Sequence, residues 1–82
     1  MHRVLSVKAK PDWNLEIVFS DGTRGTVSIK DRLFGPVFEP LKDPSVFAQV
    51  RVDEFGAVCW PNGADLAPDA LYEKITSRTQ VA

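Results

Sequence analysis

Trp13, Leu15, Ile17 and Phe19 alternate with Asn14, Glu16 and Val18; Ser20-Asp21-Gly22 follows, and Gly25, Val27 and Ile29 then alternate in their turn. Period two of this kind specifies strands with one buried face. Parity also selects the turn. A two-residue Asp21-Gly22 loop would pair Ser20 with Thr23 and send Leu15 and Val27 to opposite faces of the sheet. A three-residue loop pairs Phe19 with Thr23, Leu15 with Val27 and Trp13 with Ile29, so every large apolar side chain shares one face. Such a loop needs a left-handed residue at its third position, where Gly22 stands.

The same arithmetic recurs downstream. Val50 and Val52 precede Asp53-Glu54-Phe55-Gly56, and Val58 and Trp60 follow. The loop Glu54-Phe55-Gly56 pairs Val52 with Val58 and Val50 with Trp60. An N-terminal strand over Arg3–Lys10 is expected too, with Leu5, Val7 and Ala9 inward and Ser6, Lys8 and Lys10 outward. It is expected at a sheet edge, guarded by its lysines.

Between the hairpins, Pro36, Pro40 and Pro44 recur every four residues and forbid a long helix. Gly35 to Leu41 reads as an extended connection, and Asp43-Pro44 as an N-cap and first-turn proline opening a short helix through Gln49. Asn62-Gly63 makes a turn, Pro68 opens a second helix carrying Leu71 and Ile75 on one face, and residues 76–82 are expected to fray. The fold class is therefore α+β: a small antiparallel sheet built from two hairpins and an N-terminal strand, with two short helices, in one domain over residues 1–82.

Eighty-two residues make a thin core, so a partner subunit is a reasonable source of stability. No apolar run is long enough for a membrane span or signal-peptide core. One cysteine excludes an internal disulfide framework and a multi-cysteine zinc site, and a cytoplasmic protein is expected. Net charge is −1; residues 1–42 carry seven Lys or Arg against five Asp or Glu, and 43–82 three against six. That balance disfavours direct nucleic-acid binding.

Catalytic constellations are sparse. His2, the one histidine, is expected at a mobile terminus without a positioning partner. Cys59 falls out of phase with Val58 and Trp60, opposite Arg51, as a small filler on a sheet. Asp65 and Asp69 stand four apart around the last helix start; they could serve a metal or acid–base chemistry, but capping and the helix dipole account for acidic residues there. No cofactor motif is present. The densest special segment runs from Trp60 to Asp69, Trp60-Pro61-Asn62-Gly63-Ala64-Asp65-Leu66-Ala67-Pro68-Asp69. Its Trp, Pro and turn groups suit either a structural connector, with Trp60 in the core, or an interface.

At this segment the sequence resembles the bacterial family known as domain of unknown function 2442. Phe19-Ser20-Asp21-Gly22, Pro36-Val37-Phe38, Leu41-Lys42-Asp43-Pro44 with Phe47, and above all Trp60-Pro61-Asn62-Gly63-Ala64-Asp65 with Pro68-Asp69 and Leu71-Tyr72 carry the likeness. The resemblance implies a small α+β domain with an antiparallel sheet. It implies antitoxin-type partnership for some relatives and an added helix-turn-helix domain for others, for which 82 residues leave no room. It implies no catalytic residues.

The expected function is a non-enzymatic protein-interaction module, an antitoxin-like or regulatory subunit of a bacterial two-protein system. Its partner would be a second small protein, with a homodimer through the first strand as the other possibility. Candidate partner-binding residues are Trp60, Asn62, Gly63, Asp65 and Asp69. The alternative is a small-ligand- or metal-dependent enzyme or binding protein using Asp65 and Asp69 near Trp60.

Overall fold

The computed structural model of the chain describes residues 2–79. Strands β1 (Val4–Lys10), β2 (Asn14–Phe19) and β3 (Arg24–Ser28) form one antiparallel sheet in that order. Strands β4 (Arg51–Val52), β5 (Val58–Cys59) and β6 (Asp65–Leu66) form a second. Among the described residues three α-helices, α1 (Gly35–Phe38), α2 (Pro44–Phe47) and α3 (Pro68–Thr79), and two 3-10 turns, Lys30–Arg32 and Glu39–Lys42, complete the fold.

Both hairpins take the three-residue loop expected of them. Leu15 lies opposite Val27, the Phe19 amide donates to the Thr23 carbonyl at 2.7 Å, and Gly22 has φ +91°. Val52 lies opposite Val58, the Asp53 amide donates to the Ala57 carbonyl at 2.9 Å, and Gly56 has φ +80°. A third hairpin follows the same rule. The Trp60 amide donates to the Ala64 carbonyl at 2.9 Å across Pro61-Asn62-Gly63, with Gly63 at φ +97°. The sequence showed Asn62-Gly63 as a turn but not the strand after it, because Asp65–Leu66 is too short to display a period.

Four expectations are corrected. The first strand does not keep its parity: the ladder shifts between Val4 and Ser6, so Val4 is buried while Leu5 points outward at 64% exposure. One extra residue at an edge strand inverts the alternation behind it. The segment from Gly35 to Leu41 is not extended but coils into α1 and a following 3-10 turn over Glu39–Lys42. Prolines at the first turn of each piece remove no needed donor, so their spacing permits two short turns where it forbids one long helix. The helix after Asp43 ends at Phe47, short of Gln49. Asp43 caps it as expected, its side chain accepting from the Ser45 amide at 2.9 Å. The last helix continues to Thr79, through part of the stretch expected to fray; residues 80–82 lie outside the described residues.

One core joins both sheets. Leu15, Ile17, Phe19, Val27 and Ile29 supply the inner face of the first sheet, and Leu71 and Ile75 of α3 pack onto it. Val58, Trp60 and Leu66 enter from the second sheet, with Leu41 and Phe47 between. The sheets are stitched where the Val4 amide donates to the Gly56 carbonyl at 2.9 Å.

Candidate functional site

The third hairpin holds the candidate segment, and it divides that segment between core and surface. Trp60 is buried at 2% exposure. Its Nε1 donates to the Phe47 carbonyl at 3.0 Å, its ring stacks on Phe47 with centroids 6.2 Å apart, and Phe38 meets it edge-on at 6.4 Å. A tryptophan can be buried this completely because its one polar atom is satisfied.

Asn62 sits on the surface and works in two directions. Its Oδ1 accepts from the Ala64 amide at 3.1 Å, closing the turn, and its Nδ2 donates to the Val37 carbonyl at 2.9 Å, tying the turn to α1. This tie fixes α1 with Val37 41% exposed and the flanking Phe34 71% exposed. Gly63 faces open space. Asp65 lies exposed on β6 opposite Cys59. Asp69 lies in the first turn of α3, where its Oδ1 accepts from the His2 amide at 3.1 Å. The five residues therefore do not converge: Trp60 is interior, Asn62 and Gly63 form a hairpin tip against α1, and the two aspartates occupy different elements. Among the described residues no group of three or more His, Cys, Asp or Glu side chains could hold a metal ion.

His2 is not loose, as its position near the start of the chain suggested. Its ring stacks on Tyr72 at 3.6 Å and 8°, and meets Phe19 edge-on at 6.3 Å. Tyr72 in turn donates its hydroxyl to Asp21 Oδ2 at 2.7 Å. That hydrogen bond, and then those from Thr23, hold the Asp21 carboxyl below its ordinary value of 3.8. Cys59 faces away from the core opposite Arg51, as its parity required.

Two surface features were not visible as sites in the sequence. Among the described residues, the large apolar side chains left exposed are Leu5, Phe34, Val37 and Phe55, two of them on or beside α1, to which Asn62 is tied. The outward face of the first sheet carries Lys8, Lys10 and Arg24 with Glu16 as its one acid, in the rows Lys8–Glu16–Thr26 and Lys10–Asn14–Ser28 with Arg24 beside Val18. No helix among the described residues is long and apolar enough to cross a membrane.

The model of a family described as "Protein of unknown function (DUF2442)" matches residues 4–77. Among solved structures, the chain is similar to a crystal structure described as a "Putative DNA Binding Protein" from Nitrosomonas europaea, at 26% identity and a TM-score of 0.81. The likeness covers 98% of this chain and 52% of that one, so this chain spans about half the length of its structural relative. No curated protein matches the sequence. The description of that relative overturns the expectation that direct nucleic-acid binding is disfavoured. Net charge sums over the whole chain, whereas phosphate contact responds to where the charges lie. The cations of the first sheet's outward face are concentrated in a way that a total of −1 conceals.

Proposed function

The chain belongs to the DUF2442 family of proteins of unknown function, and we propose that it is a non-catalytic interaction domain of a DNA-associated regulatory system. One observation carries the reading. The Asn62 bridge to the Val37 carbonyl anchors α1 with Phe34 and Val37 turned to solvent. Apolar side chains turned to solvent from an anchored backbone on so small a domain suit a binding surface, since less backbone entropy remains to be lost on contact. The DNA association is taken from the relative's description, and the charged sheet face supports it. The specific form of this reading, from the family resemblance, is an antitoxin-like regulatory subunit working in the cytoplasm.

The test is formaldehyde crosslinking in cells expressing the tagged chain, followed by capture and sequencing of the recovered DNA. Enrichment of discrete loci is expected. It should be lost in a Phe34→Ser, Val37→Ser double variant whose unfolding midpoint matches the parent. Recovery of featureless background DNA by the parent would overturn the DNA association; unchanged enrichment in the variant would overturn the role of the patch. Fluorescence anisotropy of the purified chain with duplex DNA separates direct contact from contact through a partner, because direct contact weakens steeply with salt.

A further inference from the structure

Trp13 occupies the turn between β1 and β2, and its backbone is unusual. Asp12 and Trp13 have φ of +64° and +58°, a left-handed pair with no glycine in it. Side chains disfavour that region, and a bulky one most of all. Three hydrogen bonds hold the turn there. Asn14 Nδ2 donates to the Pro11 carbonyl at 3.0 Å, the Ile29 amide donates to the Trp13 carbonyl at 3.0 Å, and Trp13 Nε1 donates to the Leu41 carbonyl at 2.7 Å.

The last two bonds have a geometric consequence. Ile29 precedes Lys30 and Leu41 precedes Lys42, so bonding Ile29 through the Trp13 carbonyl and Leu41 through the indole nitrogen brings two lysines beside this residue. Trp13, Lys30, Leu33 and Lys42 line an open concavity of about 440 Å³. A second hollow of about 220 Å³ adjoins the same indole, lined by Lys10, Pro44 and Phe47 among others. Trp13 is thus a half-buried aromatic wall shared by two concavities, with Leu33 as an apolar floor and three lysines around the rim. Lys30 Nζ is paired with Asp12 Oδ1 at 3.0 Å, while Lys42 has no ion pair among the described residues.

We propose that this cradle binds a nucleoside monophosphate unit, its base stacked against the Trp13 indole and its phosphate held by Lys42 and Lys30. The concavity is open to solvent, so it holds one face of a base and leaves the other free, as a stacking platform does. Planar bases stack on aromatic side chains, and ammonium groups are point-charge donors to phosphate. Two ammonium groups beside one flat apolar wall, Lys42 without an ion pair and Lys30 shared with Asp12, supply donors to a phosphate joined to a planar group. The unit can come from a free nucleotide or from a single strand.

Titration of the purified chain with adenosine monophosphate, adenosine, inorganic phosphate and a short oligodeoxyadenylate separates these cases. Tryptophan fluorescence and calorimetry are the readouts, with Trp60 in the core as a constant background. Saturable quenching by the monophosphate or the oligonucleotide is expected, with adenosine and phosphate each at least tenfold weaker. Tighter binding per nucleotide by the oligomer identifies a strand as the source, and the reverse identifies a free nucleotide. Lys42→Glu should weaken binding at least tenfold, whereas Arg51→Glu, an equal charge change on β4, should leave it unchanged. No saturable signal from either phosphorylated ligand at millimolar concentration, or equal losses in the two variants, would overturn the proposal.

Discussion

Two residues of one hairpin, Trp60 and Asp65, show how differently neighbouring positions can weigh. Trp60 fills the junction of both sheets and α2, with its indole nitrogen bonded and its ring against Phe47 and Phe38. Trp60→Ala removes that packing and leaves a cavity, a loss of about 3–5 kcal/mol. Trp60→Phe keeps most of the volume but removes one of the two donors to the Phe47 carbonyl, which retains the Val50 amide at 3.3 Å; the lost bond and the smaller ring together cost about 1–3 kcal/mol. Asp65 is exposed on β6 and caps nothing, because the turn is closed by Asn62 instead. Asp65→Ala should therefore change stability by no more than about 0.5 kcal/mol. Urea unfolding of the three variants measures the ranking, and an Asp65→Ala cost approaching that of Trp60→Phe would contradict this assignment. The core role of Trp60 was legible in sequence from its alternation with Val58. The bond from Asn62 to Val37 was not, since twenty-five residues separate its ends.

At the scale of elements, the seating of α3 depends on an absence. Gly25 faces inward on β3, and a Cβ placed there would stand 2.8 Å from Ile75 Cγ2 of the helix. The helix lies this close because β3 presents a bare backbone at that point. Gly25→Val should lift α3 from the sheet, loosening the Tyr72–Asp21 contact and the His2 stack with it. Overpacking of this kind costs about 1–3 kcal/mol. Near-ultraviolet circular dichroism of Tyr72 and thermal melting together report the displacement; a variant with unchanged melting and spectrum would show that the contact is relaxed elsewhere. The sequence placed Gly25 on the inner face by parity, and placed Leu71 and Ile75 on one side of a helix. It could not say that the two faces meet.

For the whole molecule, two depressed carboxylates couple the fold to pH. Asp21 is held below 3.8 first by the Tyr72 hydroxyl and then by Thr23, joining the β2–β3 turn to α3. Asp43 is held below 3.8 first by the Ser45 hydroxyl and then by its amide, capping α2. A carboxylate whose folded pKa lies below its unfolded one stabilises the fold above the unfolded value, and that stability is lost as pH falls through the folded value. The contribution of both groups should thus be complete above about pH 5 and decline below about pH 4. Thermal melts across this range should show a shallower acid decline in Asp21→Asn and Asp43→Asn than in the parent. An identical decline in all three proteins would remove these two groups from the acid response.

What the sequence determined by itself is local. The strands, the two parity-chosen hairpins, the Asp43 cap and the apolar face of the last helix each follow from residues within a few positions of one another, because side-chain period and turn chemistry act over that range. Composition set the size of the core and the absence of a disulfide framework. Tertiary structure decided the rest. The bulge at Leu5 inverts a pattern that sequence alternation alone would continue, and it is fixed by the bond from Val4 to Gly56 across the two sheets. The coiling of α1 and the flanking of Trp13 by Lys30 and Lys42 depend on contacts between segments distant in the chain. Such contacts carry no periodic signature, since what selects them is the shape and hydrogen bonding of a partner surface that exists only once the chain has folded.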